Sequence, residues 1–297
     1  MFHLPLLAAP PTAFHPDGSL RLDTVEAQAQ RLLAEGADGV FVCGTTGEAS
    51  SLTREERVLL ATRWSEVVRG TPLRLLVHVG SNCVADARFL AAHAASIGAH
   101  GTAATAPSYF KPADVHVLLD VCAKIAAAAP EIPFHYYEIP VLTGIHLPTD
   151  RFLAAALERI PNFAGLKFSN PDLILLQRCA AVAPGRLQIH FGCDELLLAA
   201  VGYGATGAVG STYNVATPLF RRLLAAAQRG DVATARAAQL DSVRLIDTLS
   251  RRGYLPSLKA LLTARGIPMG PVRLPLRNLE AKATAELLGE LESLGFR

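Results

Sequence analysis

Short apolar runs and longer amphipathic segments alternate along the chain. Eight runs are apolar at consecutive positions, which is typical of strands buried in a parallel sheet; they span residues 4–10, 39–44, 73–80, 101–107, 133–140, 163–169, 186–192 and 206–212. Segments rich in alanine and leucine at helical spacing lie between them, at residues 23–35, 53–68, 84–97, 114–128, 149–159, 171–182 and 194–203. A strand followed by a helix therefore recurs at roughly the length of a βαβ unit.

Eight such repeats predict an α/β fold, a (β/α)8 TIM barrel, with a doubly wound open sheet as the alternative. From about residue 216 the pattern is entirely helical, with turns near Gly230 and Gly253. This is more helix than an eighth barrel helix requires. We expect a single domain, in which a barrel of about residues 1–225 carries a C-terminal helical extension of about residues 226–297.

Composition narrows the class of protein. The 297 residues are 51% hydrophobic and 18% charged, with a net charge of +2, as expected of a globular chain. The basic residues are scattered, so we expect neither nucleic-acid nor membrane binding. The N-terminus lacks the basic segment of a signal peptide, and the five cysteines are odd in number and widely spaced. We therefore expect reduced cysteines and a cytoplasmic protein.

One lysine stands in an apolar strand. Lys167 lies within "FAGLKFSN", where alternation places it on the same face as Gly165 and Ser169. Burial lowers the pKa of a lysine, and a neutral amine can attack a ketone to form a Schiff base. The alternative is a structural lysine paired with an interior carboxylate.

Three further polar stretches end predicted strands, and function in a barrel collects at the carboxyl ends of its strands. Tyr137 in "FHYYEIP" could relay a proton, or could be a core tyrosine with a bonded hydroxyl. The loop "GTTGE" (44–48) offers hydroxyls and amides suited to a carboxylate, or is a plain turn. "GSTYN" (210–214) closes the eighth strand.

Patterns for metals and nucleotides are weak. The nine histidines form none of the usual ligand spacings, although His78, His135 and His190 lie on different strands and could meet inside a barrel. "GYGATG" (202–207) follows a helix and precedes a strand, the reverse of a dinucleotide-binding turn. We expect no metal and no organic cofactor.

The stretches "GTTGE", "YEIPVLTG", "GLKFSN", "FGCDE" and "GATGAVGSTYN" together resemble the pyruvate-dependent class I aldolases, the dihydrodipicolinate synthase and N-acetylneuraminate lyase family. The resemblance covers nearly the whole chain. It implies that Lys167 forms the Schiff base, that Tyr137 shuttles the proton with Thr45, and that Thr46 holds the pyruvate carboxylate. It also implies a homotetramer, in which Tyr109 reaches the site of a neighbouring subunit.

The resemblance is closest to the branch that cleaves sialic acid. Dihydrodipicolinate synthases usually carry an arginine at the position of Leu142, and leucine cannot bind a second carboxylate. The resemblance to sialic acid lyases implies that four residues meet the sugar hydroxyls, namely Gly192, Asp194, Glu195 and Ser211. It also implies that Ser169 is a substrate-binding hydroxyl residue beside the Schiff base. The acidic pair could instead stabilise a helix N-terminus.

The expected reaction is the reversible cleavage of N-acetylneuraminate to pyruvate and N-acetylmannosamine. Alternatives are a 2-keto-3-deoxy sugar-acid aldolase, a dihydrodipicolinate synthase-like condensation, and a protein that binds an oxo acid without catalysis.

Overall fold

The computed structural model describes residues 3–296 and contains a closed barrel of eight parallel strands in chain order. The strands are β1 (Leu6–Ala8), β2 (Gly39–Val42), β3 (Arg74–His78), β4 (Gly101–Thr105), β5 (Phe134–Glu138), β6 (Phe163–Phe168), β7 (Gln188–Phe191) and β8 (Gly207–Gly210). Each predicted strand corresponds to one of these. The predicted TIM barrel is therefore confirmed, and the open sheet is excluded because β8 pairs with β1.

Twelve α-helices are found among the described residues. They are α1 (Thr24–Ala34), α2 (Arg54–Val68), α3 (Val84–Ser96), α4 (Val115–Ala126), α5 (Pro140–Thr143), α6 (Thr149–Arg159), α7 (Leu173–Val182), α8 (Leu197–Gly202), α9 (Tyr213–Gln228), α10 (Val232–Ser250), α11 (Tyr254–Ala264) and α12 (Ala281–Ser293). Short 3-10 helices cover Ala49–Ser51 and Asp194–Leu196. A capping box begins α2, since Thr53 and Glu56 each accept a hydrogen bond from the other's backbone amide.

Alternation along the strands divides the core into two parts. Even-numbered residues of β5, such as Phe134 and Tyr136, pack outward in the large cluster between the barrel and its helices. Tyr137 belongs to a smaller cluster with Phe41 and Leu76, which fills the barrel interior. Tyr137 therefore faces into the barrel, opposite to Phe134 and Tyr136.

The helices after α9 pack against the barrel through buried polar contacts as well as apolar ones. Gln239 of α10 accepts a hydrogen bond from the amide of Leu198 at 2.8 Å and donates to the carbonyl of Asp194 at 3.0 Å. Arg265 at the end of α11 donates to the carbonyl of Val215 at 2.7 Å. These contacts tie α10 to the 3-10 turn and α8 that follow β7, and α11 to the start of α9 after β8.

The sequence pattern missed two local features. The helix expected over 194–203 is divided into the 3-10 turn Asp194–Leu196 and α8. The short helix α5 was not predicted, because four residues are too few for helical periodicity to be visible. Pro140 begins α5, and Gly144 ends it in the left-handed conformation that glycine adopts readily.

Candidate active site

Lys167 lies inside the barrel, next to Tyr137 on the neighbouring strand. Its side chain is buried, and its Nζ lies 3.9 Å from the centroid of the Phe41 ring and 4.0 Å from that of the Tyr137 ring. Burial lowers the pKa of Lys167, against the attraction of Tyr137 and Asp194, which favours the ammonium form. The environment therefore increases the neutral amine fraction that a nucleophile requires.

The interior histidines near Lys167 are neutral. The pKa of His78 and of His190 is lowered to about 3, mainly by burial and to a smaller extent by nearby charges that include Lys167. His78 Nδ1 lies 2.8 Å from the carbonyl oxygen of Cys43. His190 pairs with Lys167 across β6 and β7, and its ring lies 5.7 Å from the His135 ring, centroid to centroid. Of the three histidines, His135 and His190 meet inside the barrel, whereas the His78 ring contacts Phe41 and Tyr137.

The Tyr137 hydroxyl lies 3.3 Å from the Thr45 hydroxyl. This contact joins β5 to the loop "GTTGE", which follows β2. Because either oxygen can donate, the pair can pass a proton between them. The structure thus places two of the predicted relay residues within hydrogen-bond reach of one another.

The loop that carries Thr45 is strained at both ends. Cys43 has φ +56° and Glu48 has φ +55°, left-handed values that are unfavourable for residues other than glycine. Each such residue costs on the order of 1–2 kcal/mol and persists only where the surroundings hold it. Within the loop, the amide of Glu48 donates to the carbonyl of Thr45 at 3.0 Å, and Thr12 Oγ1 donates to the carbonyl of Gly47 at 2.7 Å.

A cavity of about 520 Å³ opens at the carboxyl ends of the strands, with Lys167 in its wall. Its lining brings together seven of the predicted site residues, namely Thr45, Thr46, Tyr137, Lys167, Ser169, Gly192 and Ser211. Ile139 and Val209 add apolar surface to the same wall. A pocket with apolar walls and a few convergent polar groups is the usual form of a small-molecule site.

Asp194 lies directly behind this wall. Its carboxylate accepts hydrogen bonds from the amide and hydroxyl of Thr212, and a Cβ added at the lining residue Gly210 would lie 2.0 Å from Asp194 Oδ1. Burial raises the pKa of Asp194. Glu195 is exposed and outside the residues that line the cavity. Sugar binding by this pair therefore stays a prediction.

Tyr109 lies on the surface in the loop after β4. Its side chain is 79% exposed, and its ring packs edge-on against Phe110, which is 86% exposed. The loop is anchored by Asn82 Oδ1, which accepts hydrogen bonds from the amides of Ser108 and Tyr109. In this single chain, Tyr109 is not among the residues that line the cavity.

The C-terminal helices contribute part of the cavity wall, which the sequence did not predict. The added lining residues are Arg252, Gly253, Tyr254, Leu255, Pro256, Leu276 and Arg277. The Tyr254 hydroxyl lies 2.7 Å from that of Ser211, and Glu290 of α12 accepts two hydrogen bonds from Arg252, at 2.6 and 3.1 Å. No motif marks these residues, because their role arises only when the extension folds over the barrel mouth.

Glu138 is a second buried carboxyl, on the outward face of β5. Its Oε1 accepts a hydrogen bond from Asn170 Nδ2 at 3.0 Å, and its carbonyl accepts one from the amide of Ser169 at 2.9 Å. Burial raises the pKa of Glu138 to about 7, with a smaller contribution from Asp172. Through these bonds Glu138 fixes the end of β6, two residues beyond Lys167.

Two kinds of feature are absent from residues 3–296. These residues contain no group of three or more histidine, cysteine, aspartate or glutamate side chains arranged to hold a metal ion. In the same range, no helix combines the length and apolar character needed to cross a bilayer.

Comparison with known proteins identifies the family. The family model described as the dihydrodipicolinate synthetase family matches residues 4–294. The chain belongs to this family. The resemblance drawn from the sequence motifs is therefore confirmed over almost the entire chain.

Individual members of the dihydrodipicolinate synthetase family are similar over their full length. The N-acetylneuraminate lyase of Gallus gallus is 38% identical over 293 residues, which cover 97% of this chain and 95% of that protein. The solved N-acetylneuraminate lyase of Proteus mirabilis has a TM-score of 0.96 and 36% identity, with 100% of both chains covered. A catalytic lysine mutant of Ruminococcus gnavus sialic acid aldolase has a TM-score of 0.92 and 26% identity, covering 98% of this chain and 97% of that one.

Proposed function

We propose that the protein is a Schiff-base-forming class I aldolase that reversibly cleaves N-acetylneuraminate to pyruvate and N-acetylmannosamine. The observation that carries the proposal is the buried Lys167 amine beside the Tyr137 ring in the wall of a cavity that also contains the Thr45 hydroxyl. Similarity to N-acetylneuraminate lyases along nearly the whole chain supports the choice of substrate.

The first step uses Lys167 as the nucleophile. Its neutral amine attacks the C2 ketone of the open-chain sugar acid, and loss of water gives an iminium ion. Burial favours the neutral amine before attack. The iminium then accepts the electron pair of the C3–C4 bond, so the lysine supplies the electron sink. A lysine is described as catalytic in the aldolase of Ruminococcus gnavus.

The second step needs a base at the C4 hydroxyl. Tyr137 takes that proton as the C3–C4 bond breaks, which releases the aldehyde and leaves the enamine of pyruvate. Thr45, 3.3 Å from the Tyr137 hydroxyl, connects the base to a proton relay that Tyr109 of a second copy completes. Protonation of the enamine at C3 and hydrolysis of the imine then release pyruvate. Thr46 holds the carboxylate throughout.

The rest of the sugar is bound further along the cavity. Ser169, Gly192 and Ser211 lie in its wall and can meet the sugar hydroxyls. We propose that the carboxylates of Asp194 and Glu195 accept hydrogen bonds from those hydroxyls. The Asp194 carboxylate lies next to Gly210, directly behind the cavity wall. Leu142 offers no donor for a second carboxylate, which argues against a dihydrodipicolinate synthase reaction.

We also propose a homotetramer in the cytoplasm. The exposed aromatic pair Tyr109 and Phe110 supports a contact between copies, since large apolar side chains that protrude from a surface favour an interface. All five cysteines lie among the described residues and none forms a disulfide, which supports a reducing compartment. The division at about residue 225 into barrel and extension, within one domain, also stays a prediction.

Borohydride reduction tests the mechanism. The protein treated with pyruvate and borohydride should gain one reduced pyruvyl group on Lys167, located by peptide mass spectrometry, and Lys167→Met should gain none. An unchanged intact mass would exclude the Schiff base and would favour a protein that binds the oxo acid without catalysis.

A substrate panel tests the specificity. N-acetylneuraminate, 2-keto-3-deoxygluconate, and aspartate semialdehyde with pyruvate should be assayed side by side. We expect turnover of N-acetylneuraminate to be the fastest of the three. Turnover of either alternative without N-acetylneuraminate cleavage would contradict the proposed substrate while leaving the Schiff-base chemistry intact.

A further inference from the structure

The loop "GTTGE" ends in Glu48, whose side chain points away from the cavity into a buried charged cluster. Glu48 Oε1 accepts a hydrogen bond from Lys259 Nζ of α11 at 2.5 Å, and both side chains are only 2% exposed. Glu48 Oε2 accepts a second bond from the amide of Arg273 at 2.9 Å. Both carboxylate oxygens are therefore bonded to residues that follow the barrel in the chain.

Lys259 is itself fixed on several sides. Its Nζ also donates to the carbonyl of Pro271 at 2.8 Å and lies 4.5 Å from the centroid of the Phe14 ring. The Arg273 guanidinium lies 4.3 Å from the same ring and donates to Glu56 Oε2 at 2.7 Å. Glu56 in turn accepts from the amide of Thr53 at the start of α2. The ammonium therefore has one position, set by α11, by the loop after it and, through Arg273 and Glu56, by the start of α2.

This cluster acts where the loop is strained. Glu48 holds φ +55°, a conformation that a non-glycine residue keeps only under external constraint. Three residues earlier, Thr45 meets Tyr137, and two residues earlier Thr46 lines the cavity. If the side chain of Glu48 were released, its backbone could relax, and the two threonines would move with it.

We infer that Lys259 is a positioning residue: through Glu48 it holds Thr46 in the orientation that binds the substrate carboxylate, so the C-terminal extension sets the affinity for the oxo acid. The inference rests on the proposed function, in which Thr46 is the carboxylate ligand. A merely structural ion pair would stabilise the fold without selecting between charged and neutral carbonyl compounds. Lys259 contacts neither substrate nor Lys167, so its effect must pass through the loop.

The distinguishing experiment compares two carbonyl compounds in borohydride trapping at Lys167. Pyruvate needs the carboxylate site, whereas hydroxyacetone is a neutral ketone of similar size. For Lys259→Met we expect the pyruvate concentration for half-maximal trapping to rise at least about tenfold, because small displacements of a binding group reduce its effect steeply. Trapping by hydroxyacetone should change by less than about threefold. Equal losses with both compounds would overturn the inference.

Steady-state kinetics of Lys259→Met in the condensation direction, with N-acetylmannosamine as the acceptor, provide an independent test. The KM for pyruvate should rise by a factor similar to that of the pyruvate concentration for half-maximal trapping, while kcat should fall by less than about threefold. A fall in kcat with unchanged KM would contradict a role in carboxylate binding.

Two controls separate positioning from stability. Leu258→Ala opens a cavity at the neighbouring, fully buried position of α11 without touching the loop. It should lower the melting temperature and leave the discrimination between pyruvate and hydroxyacetone unchanged. The double variant Glu48→Gln with Lys259→Met removes both charges, so it should recover thermal stability but not pyruvate affinity. Recovery of both would show that the pair serves only to neutralise charge, against the inference.

Glu48→Gln alone covers the case in which Lys259→Met does not fold. Glutamine keeps the shape and can still accept from the Arg273 amide, but the bond from Lys259 is weakened. The pyruvate concentration for half-maximal trapping should rise by a smaller factor than in Lys259→Met. An unchanged concentration would overturn the inference. Should the wild-type protein form no pyruvate adduct, the proposed function itself fails; a normal wild-type adduct with unaffected variants rejects only the role of Lys259.

Discussion

Glu138→Gln should change how stability depends on pH. Burial raises the pKa of Glu138 from its ordinary value of 4.5 to about 7, so the folded protein holds this proton to a higher pH than the unfolded chain. Between these two values the unfolded state loses the proton first. The free energy of unfolding of the wild-type protein should therefore fall as the pH rises through this window.

The expected size follows from the same two values. One pKa unit corresponds to about 1.4 kcal/mol, so the full shift corresponds to an upper bound of about 3 kcal/mol. Glutamine has the shape of the protonated side chain and can still accept from Asn170, but it does not ionise. Relative to wild type, Glu138→Gln should therefore gain up to about 3 kcal/mol in stability between about pH 4 and pH 8.5. For a chain of this length that is a gain of about 5 °C in melting temperature.

Denaturant unfolding of both proteins across this pH range is the measurement. Glu158→Gln makes the same carboxyl-to-amide change on the exposed surface of α6 and is the matched control for the substitution itself. Parallel pH curves for wild type and Glu138→Gln would refute the reasoning, since they would mean that Glu138 titrates alike in the folded and unfolded states.

Other consequences of the geometry can be checked separately. Tyr137→Phe removes the proton-relay hydroxyl, so kcat should fall about 10²- to 10⁴-fold while borohydride trapping of pyruvate persists; loss of trapping would contradict this. Gly165→Ala places a Cβ 1.9 Å from the carbonyl oxygen of Gln188, so the melting temperature should fall by an amount equivalent to at least about 2 kcal/mol. Gly202→Ala, which meets no atom within 4 Å, is its matched control and should be nearly neutral. Burial lowers the pKa of His190 from 6.5 to about 3, so the unfolded chain binds a proton here at a higher pH than the folded protein does. The free energy of unfolding should therefore fall by up to about 1.4 kcal/mol per pH unit as the pH falls from 6.5 to about 3. In denaturant unfolding, the stability of His190→Gln should depend less steeply on pH over this range.

The sequence identified the inner wall of the site because its residues occur in strands with a clear alternation. Lys167 and Tyr137 stand among apolar neighbours, and alternation predicts which residues share a face with each of them. The structure shows that this face is the inward one. "GTTGE" follows a strand directly, so it had to lie at the barrel mouth. Their mutual distances could not be predicted, because these depend on the register of β5 against β6 and on the turn after β2.

The outer wall could not be predicted in the same way. Arg252, Tyr254 and Arg277 lie in the helical extension, where the pattern indicates helices but not the surface on which they pack. Lys259 carried a weak signal, since it is one of few lysines and stands in an apolar helix. Its partner Glu48 is distant in sequence, and no local rule connects the two residues.

The sequence by itself determined the eight strands with their intervening helices, the lysine and tyrosine that stand in apolar strands, and the family. Local periodicity and short motifs suffice for these, because each depends on neighbours within one element or one turn. Only the tertiary structure decided that Asp194 lies behind the cavity wall, that Tyr254 meets Ser211, and that Lys259 of α11 bonds Glu48 at the end of the "GTTGE" loop. The physical reason is that buried polar groups must find hydrogen-bond partners wherever the fold brings them, so these pairings follow from packing and not from sequence spacing.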